Sequence, residues 1–196
     1  MSVRDLLRTV AHWLFGDYRF YHIRGIDLAA VPESPPWDGR IGPITDLADL
    51  AGAKDRTIRA RISVDRGCGR YAFGAWVGDK LASFVILVSK KALGLKSVWP
   101  LEDGEAMLAQ VTTEETFRGR GIAPILINYA ARKMGELGFR RLYATIWHSS
   151  AASVRAFDKA GWQRFAFLMV VYPFGTKRPI RFVWRRTTKQ RTAAQI

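Results

Sequence analysis

The chain has 196 residues, 48% of them hydrophobic and 24% charged, which suits one ordinary domain large enough to enclose a core and still carry a cleft. Its net charge of +14 points to anionic partners, and its single cysteine, Cys68, excludes an internal disulfide and a thiolate metal cluster. No apolar run approaches the roughly 20 residues of a membrane span; Arg4, Asp5 and Arg8 interrupt the apolar residues of the N-terminus, so no secretory leader is expected and a cytoplasmic location is.

Residues 3–15 place Leu6, Leu7, Val10, Trp13 and Leu14 on one helical face, and Gly16 follows as a stop. Tyr18 to Leu28 is aromatic and β-branched and reads as a strand. Residues 31–43 contain Pro32, Pro35, Pro36 and Pro43 and read as a loop; Ile44 to Ala53 reads as a short helix. Tyr71–Val77 and Lys80–Ser89 form a hairpin around the Gly78-Asp79 link, and Glu105–Thr113 is a further strand. From Gly121 to Leu137 the apolar residues recur at helical spacing up to Gly138. Arg141–Trp147 is a strand. Ser149 or Ser150 caps a helix to Ala160, closed by Gly161. Gln163–Tyr172 and Pro179–Arg186 are the last strands. Strand-helix-strand crossovers imply parallel neighbours and hairpins imply antiparallel ones. The expectation is a single α/β domain over residues 1–184, with a mixed central sheet of six or seven strands flanked by helices, and a basic, flexible tail over residues 185–196.

Charge is unevenly spread. No acidic residue follows Asp158, while Lys159, Arg164, Lys177, Arg178, Arg181, Arg185, Arg186, Lys189 and Arg191 do. Such a surface favours coenzyme phosphates, nucleic acid or an acidic membrane face. No zinc spacing, helix-turn-helix or ribonucleoprotein signature is present, so specific nucleic-acid binding is not expected. Peripheral contact with an anionic membrane, through the N-terminal stripe with Arg4 and Arg8 at the headgroups, stays open beside packing of that stripe on the domain or over the acceptor cleft.

The segment from Val111 to Leu126 carries the chemistry. A strand runs into a glycine-bearing turn, and the turn opens a helix. A helix start leaves backbone N–H groups unpaired at the positive end of its dipole. Gly119 and Gly121 remove side chains that would keep a phosphate away, Pro124 lies in the first turn, and Arg118 and Arg120 add positive charge. This is an anion site suited to a pyrophosphate. The Gly-Lys-Ser/Thr ending of a Walker loop is absent, and so is the three-glycine dinucleotide fingerprint.

Arg118-Gly-Arg-Gly-Ile-Ala123 resembles the coenzyme-binding signature Gln/Arg-x-x-Gly-x-Gly/Ala of the GNAT (Gcn5-related N-acetyltransferase) superfamily. Ser150-Ala-Ala-Ser-Val-Arg-Ala-Phe-Asp-Lys-Ala-Gly-Trp162 is similar to that family's second signature, Asn-x-x-Ala/Ser-x-x-x-Tyr-x-x-x-Gly-Phe. The likeness runs over about residues 70–172 and fades before residue 70. It implies that acetyl-coenzyme A, or another acyl-coenzyme A, is the co-substrate, with no metal. The pyrophosphate would lie on the amides of Arg120, Gly121, Ile122 and Ala123, with Arg118 and Gly119 at the turn. The pantetheine arm would run beside Val111, Thr112 and Thr113, and Ser150 and Phe157 would border it. A backbone amide near Val111 would polarise the thioester carbonyl.

Two departures matter. Phe157 stands where many relatives place a tyrosine acid, and Ser150 replaces the asparagine. The candidate bases are Glu105, which alternates onto one face with Met107, Ala109, Val111 and Thr113, and His148 at the end of its strand. Tyr143 is a weaker acid candidate, and Gln110 and Thr112 share a face suited to positioning substrate. Trp76, Trp99, Trp147, Trp162 and Trp184 are expected in the core, with aromatic walls for a sugar or lipid as the other reading. The expected function is transfer of an acetyl or other short acyl group to an amine of a small-molecule acceptor, an amino sugar being one specific case, by direct attack in a ternary complex. The alternatives are a protein N-acetyltransferase and a non-catalytic acyl-coenzyme A-binding module. Monomer and homodimer are both open.

Overall fold

The computed structural model describes residues 17–45, 69–93, 98–172 and 179–185. The amphipathic stretch at 3–15, residues 46–53 of the expected short helix, and the tail beyond Arg185 lie outside the described residues.

Among the described residues eight strands form one sheet: β1 (Asp17–Asp27), β2 (Arg40–Pro43), β3 (Arg70–Val77), β4 (Lys80–Ser89), β5 (Glu105–Thr113), β6 (Arg141–Trp147), β7 (Gln163–Tyr172) and β8 (Ile180–Arg185). Their spatial order is β2-β3-β4-β5-β6-β1-β7-β8. The described α-helices are α1 (Lys90–Leu93), α2 (Ile122–Glu136) and α3 (Ala151–Lys159). Among the described residues only β5 and β6 pair in parallel; every other neighbouring pair is antiparallel.

This is the mixed α/β sheet the sequence implies, with eight strands where six or seven were expected. The extra strand is β2, inside the proline-rich loop. It lies at the sheet edge, where Pro43 costs no ladder hydrogen bond on its open side. Ile44, expected to begin a helix, instead continues the pairing: its N–H donates to the Ala72 carbonyl at 2.9 Å. The second crossover also differs from expectation. β6 and β7 are not neighbours, because β1 inserts between them and pairs antiparallel with both.

The core lies mainly between the sheet and α2. Ile122, Leu126, Ile127, Ala130, Ala131 and Met134 are at most 1% exposed and meet Phe73, Val85, Leu87 and Leu108 of the strands. That is the apolar stripe of the sequence turned onto the sheet. Gly138, at φ 88°, ends the helix as anticipated. On the opposite face a second cluster joins Ile23, Trp99, Met107, Tyr143, Leu168 and Val170.

Candidate active site

The parallel seam between β5 and β6 runs from the Glu105–Arg141 pair to the Leu108–Ala144 pair and stops, although β5 continues to Thr113 and β6 to Trp147. At that point β5 holds one residue too many. Leu108 faces Leu87 and Gln110 faces Ile86 on β4, so Ala109 has no partner there and is exposed. A bulge of this kind bends its strand and adds local twist. Past it the two central strands no longer pair.

The bulge also reverses the facing of the residues beyond it. Strict alternation puts Glu105, Met107, Val111 and Thr113 on one face. In the structure Met107 packs in the cluster opposite the helices, whereas Val111 packs in the helix-side core. Gln110 and Thr112 do share a face: the Gln110 amide Nε2 donates to the Thr112 hydroxyl at 3.2 Å.

Beyond Thr113 the chain makes a single 3-10 turn, Glu115–Phe117, and enters α2 through Gly119 and Gly121. Both glycines are left-handed, with φ of 80° and 76°. That conformation costs an L-residue roughly 1–2 kcal/mol. A Cβ at either position would meet no heavy atom within 4 Å, so backbone conformation rather than crowding within the chain requires glycine. Gly121 is the N-cap of α2, and no side chain caps the helix. Arg118 is tied back, its Nε donating to the Thr113 carbonyl at 3.3 Å and its guanidinium 3.6 Å from Glu115. The Arg120 guanidinium lies over the Phe117 ring at 5.3 Å.

These elements wall a groove of about 420 Å³. Val111, Thr112, Thr113, Arg118, Gly119, Gly121, Ile122, Ala123 and Phe157 all line it. Arg120 and Ser150 are not among the lining residues; the Ser150 hydroxyl donates to Ser153 Oγ at 2.8 Å, and Ser153 does line the groove. Phe157 on α3 lines the groove as expected, and Ala152, Arg155, Ala156 and Lys159 of the same helix, not expected from the sequence, face it as well. Their i, i+3, i+4, i+7 spacing marks one helix face, and that was the available signal. Arg155 and Lys159 bring two more cations to a site that already offers a helix N-terminus. A polyanion with an elongated uncharged arm fits these walls.

Residues 50–162, more than half of the chain, match the Acetyltransferase (GNAT) family. The chain belongs to the GNAT family. The match begins earlier than the likeness legible in the signatures, which fades before residue 70. No curated protein sequence matches the chain. Among solved structures, a GNAT-family acetyltransferase from Novosphingobium aromaticivorans aligns with a TM-score of 0.56 at 16% identity, covering 80% of this chain and 65% of its own. A GCN5-related N-acetyltransferase from Sphaerobacter thermophilus gives 0.56 at 16% identity, covering 94% and 58%. One from Kribbella flavida gives 0.54 at 13% identity, covering 81% and 59%. These likenesses are of fold, and the chain spans less than two-thirds of each of those proteins.

Within this GNAT domain the two candidate bases do not line the groove. Glu105 is 5% exposed at the far end of β5, six residues before Val111. At strand rise that is roughly 20 Å. Its carboxylate is already engaged: the Tyr143 hydroxyl donates to Oε1 at 3.3 Å, the Glu102 N–H donates to Oε2 at 3.0 Å, and Arg141 stands 3.8 Å away. Burial pushes the Tyr143 phenol above its ordinary value. His148 is exposed beyond β6, its ring edge-on to Phe20 at 5.6 Å, and its backbone N–H donates to the Phe20 carbonyl. Phe157 is 3% exposed and meets Trp162 edge-on, with centroids 4.9 Å apart. Trp76, Trp99 and Trp162 are core residues, as expected; Trp147 and Trp184 are not, being 39% and 53% exposed. Among the described residues no group of three or more His, Cys, Asp or Glu side chains is placed to hold a metal ion.

Proposed function

We propose that this domain transfers an acetyl or other short acyl group from coenzyme A to an amine of a small-molecule acceptor, by direct attack in a ternary complex. The observation that carries the reading is the continuity of one groove from the bulged end of β5, open on its β6 side, to the left-handed glycine turn at the start of α2. The coenzyme supplies an activated thioester. The chain's residues do the rest. Backbone N–H groups of Gly121, Ile122 and Ala123, with Arg155 and Lys159 across the groove, neutralise phosphate charge. The free edge of β5 at Val111–Thr113 orients the arm, and a backbone N–H near Val111 stabilises the oxyanion that forms during attack.

Attack through the gap past Leu108 and Ala144 brings the amine in from the face that carries Gln110 and Thr112. Both side chains can position a polar acceptor, an amino sugar being the specific case in view. Glu105, held by Tyr143 and the Glu102 N–H, serves the strand seam in this reading, and His148 rests on Phe20. The chemistry then proceeds without a dedicated acid at Phe157, since a thiolate leaves readily. Calorimetry with acetyl-coenzyme A, followed by coenzyme release measured over a panel of amines, tests the proposal. Binding without turnover on any small amine or peptide favours the second reading, an acyl-coenzyme A-binding module, which the missing hydroxyl at Phe157 motivates.

A further inference from the structure

The last strand of the sheet is open on its outer side. β8 pairs β7 from Ile180–Val171 to Arg185–Ala166, and no described strand lies beyond it. All its residues are exposed. Ile180, Phe182, Val183 and Trp184 are 49%, 43%, 45% and 53% exposed, half of the large hydrophobic side chains so placed among the described residues. Alternation sets Ile180, Phe182 and Trp184 on one face and Arg181, Val183 and Arg185 on the other. Behind Trp184 the rings continue inward across the sheet. Phe182 stacks on Trp184 with centroids 6.1 Å apart, Trp184 meets Phe167 at 5.9 Å, Phe167 stacks on Phe20 at 5.7 Å, and Phe20 meets Tyr18 at 5.5 Å. Contiguous apolar surface of this kind marks an interaction site, and an apolar sheet edge is a place where something docks.

Charge decides what docks. Arg181 and Arg185 alternate with the apolar side chains of the same strand, Arg185 leaning over Trp99 at 5.7 Å. The sequence holds no acidic residue after Asp158, and the chain carries +14. A second copy would bring the same positive charge to the contact. A nucleic acid strand would stack on rings, but Ile180 and Val183 give it nothing to stack on, and β8 has no amide or hydroxyl side chain to meet a base edge. A bilayer with anionic headgroups that meets β8 edge-on uses both of its faces: Trp184, Phe182 and Ile180 enter the interface on one side, and Arg181 and Arg185 on the other reach the phosphates. Among the described residues no helix is long and apolar enough to cross a membrane.

We propose that β8, with the aromatic row behind it, docks the domain on an anionic phospholipid bilayer. The test is sedimentation of the whole chain with vesicles of phosphatidylcholine alone and of phosphatidylcholine containing roughly one-third phosphatidylglycerol. The chain is expected to sediment with the anionic vesicles and to be released by salt. Arg181→Gln with Arg185→Gln should weaken partition about 30-fold, equivalent to roughly 1 kcal/mol for each cation. Phe182→Ser with Trp184→Ser should weaken it about tenfold or more. If that pair lowers the melting temperature, Trp184→Gln alone gives the same reading. The proposal is overturned if the chain does not sediment with anionic vesicles, or if the variants bind as well as the parent. It is also overturned if the apolar substitutions dissolve a dimer, or abolish oligonucleotide binding, in a chain that ignores vesicles.

Discussion

The Tyr143 hydroxyl donates to Glu105 Oε1 at 3.3 Å across the parallel seam, two residues along β6 from the Glu105–Arg141 pair and at the opposite end of β5 from the groove. The contact makes Glu105 a fastener of the two central strands. Glu105→Gln keeps one acceptor oxygen and removes the charge that Arg141 faces. The expected outcome is a loss of about 1–3 kcal/mol of stability, read from the urea midpoint. Turnover at saturating coenzyme should change by less than about threefold, against the roughly 10²–10⁴-fold loss expected of a general base.

His22 supplies a pH dependence. Burial first, then the charges of Arg164, Arg24 and His148, hold its imidazole below the ordinary 6.5, opposed by Asp158. Above 6.5 the ring is neutral folded and unfolded, and pH has no leverage through it. Below that value the unfolded chain takes up a proton that the folded chain resists, so stability falls as pH drops toward the folded pKa. Melting temperatures measured between about pH 7 and about pH 5 should decline, and His22→Gln should flatten the decline. An unchanged slope in the variant would assign the effect to other groups.

Phe157 lines the groove and packs edge-on against Trp162. Phe157→Tyr adds a donor where the family's signature carries one. The fold should survive, and turnover should hold or rise by up to about tenfold, a modest part of what general acid catalysis supplies. Single-turnover kinetics and a thermal melt of the same sample check both halves. A collapse in stability would mean that the ring edge points into the core beside Trp162, with no room for oxygen.

Much of this was legible in the sequence because local signals agreed. Gly119, Gly121 and Pro124 announce the turn and the helix start, and the apolar spacing from Ile122 to Met134 matches the face that α2 buries. What escaped was set by partners distant in sequence. The unpaired Ala109 reverses the facing of Val111 relative to Met107, and no periodicity within β5 signals an extra residue. β1 reads as a strand, but nothing in it tells that it inserts between β6 and β7. Glu105 looks like a strand-end carboxylate until Tyr143 and the Glu102 N–H are brought to it. The α3 wall was readable from its spacing, with Arg155 and Lys159 one turn apart on the face of Ala152.

The measurement that bears most directly on the central claim is titration of acetyl-coenzyme A into the parent chain and into Gly121→Glu by calorimetry. Residue 121 caps α2 with φ 76°, and a glutamate there puts a side chain and a negative charge into the groove. A melt of the variant accounts for the roughly 1–2 kcal/mol of left-handed strain. The parent is expected to bind and the folded variant not to. Equal affinity in the two proteins would contradict this, because the coenzyme would then lie somewhere other than the glycine turn at the start of α2.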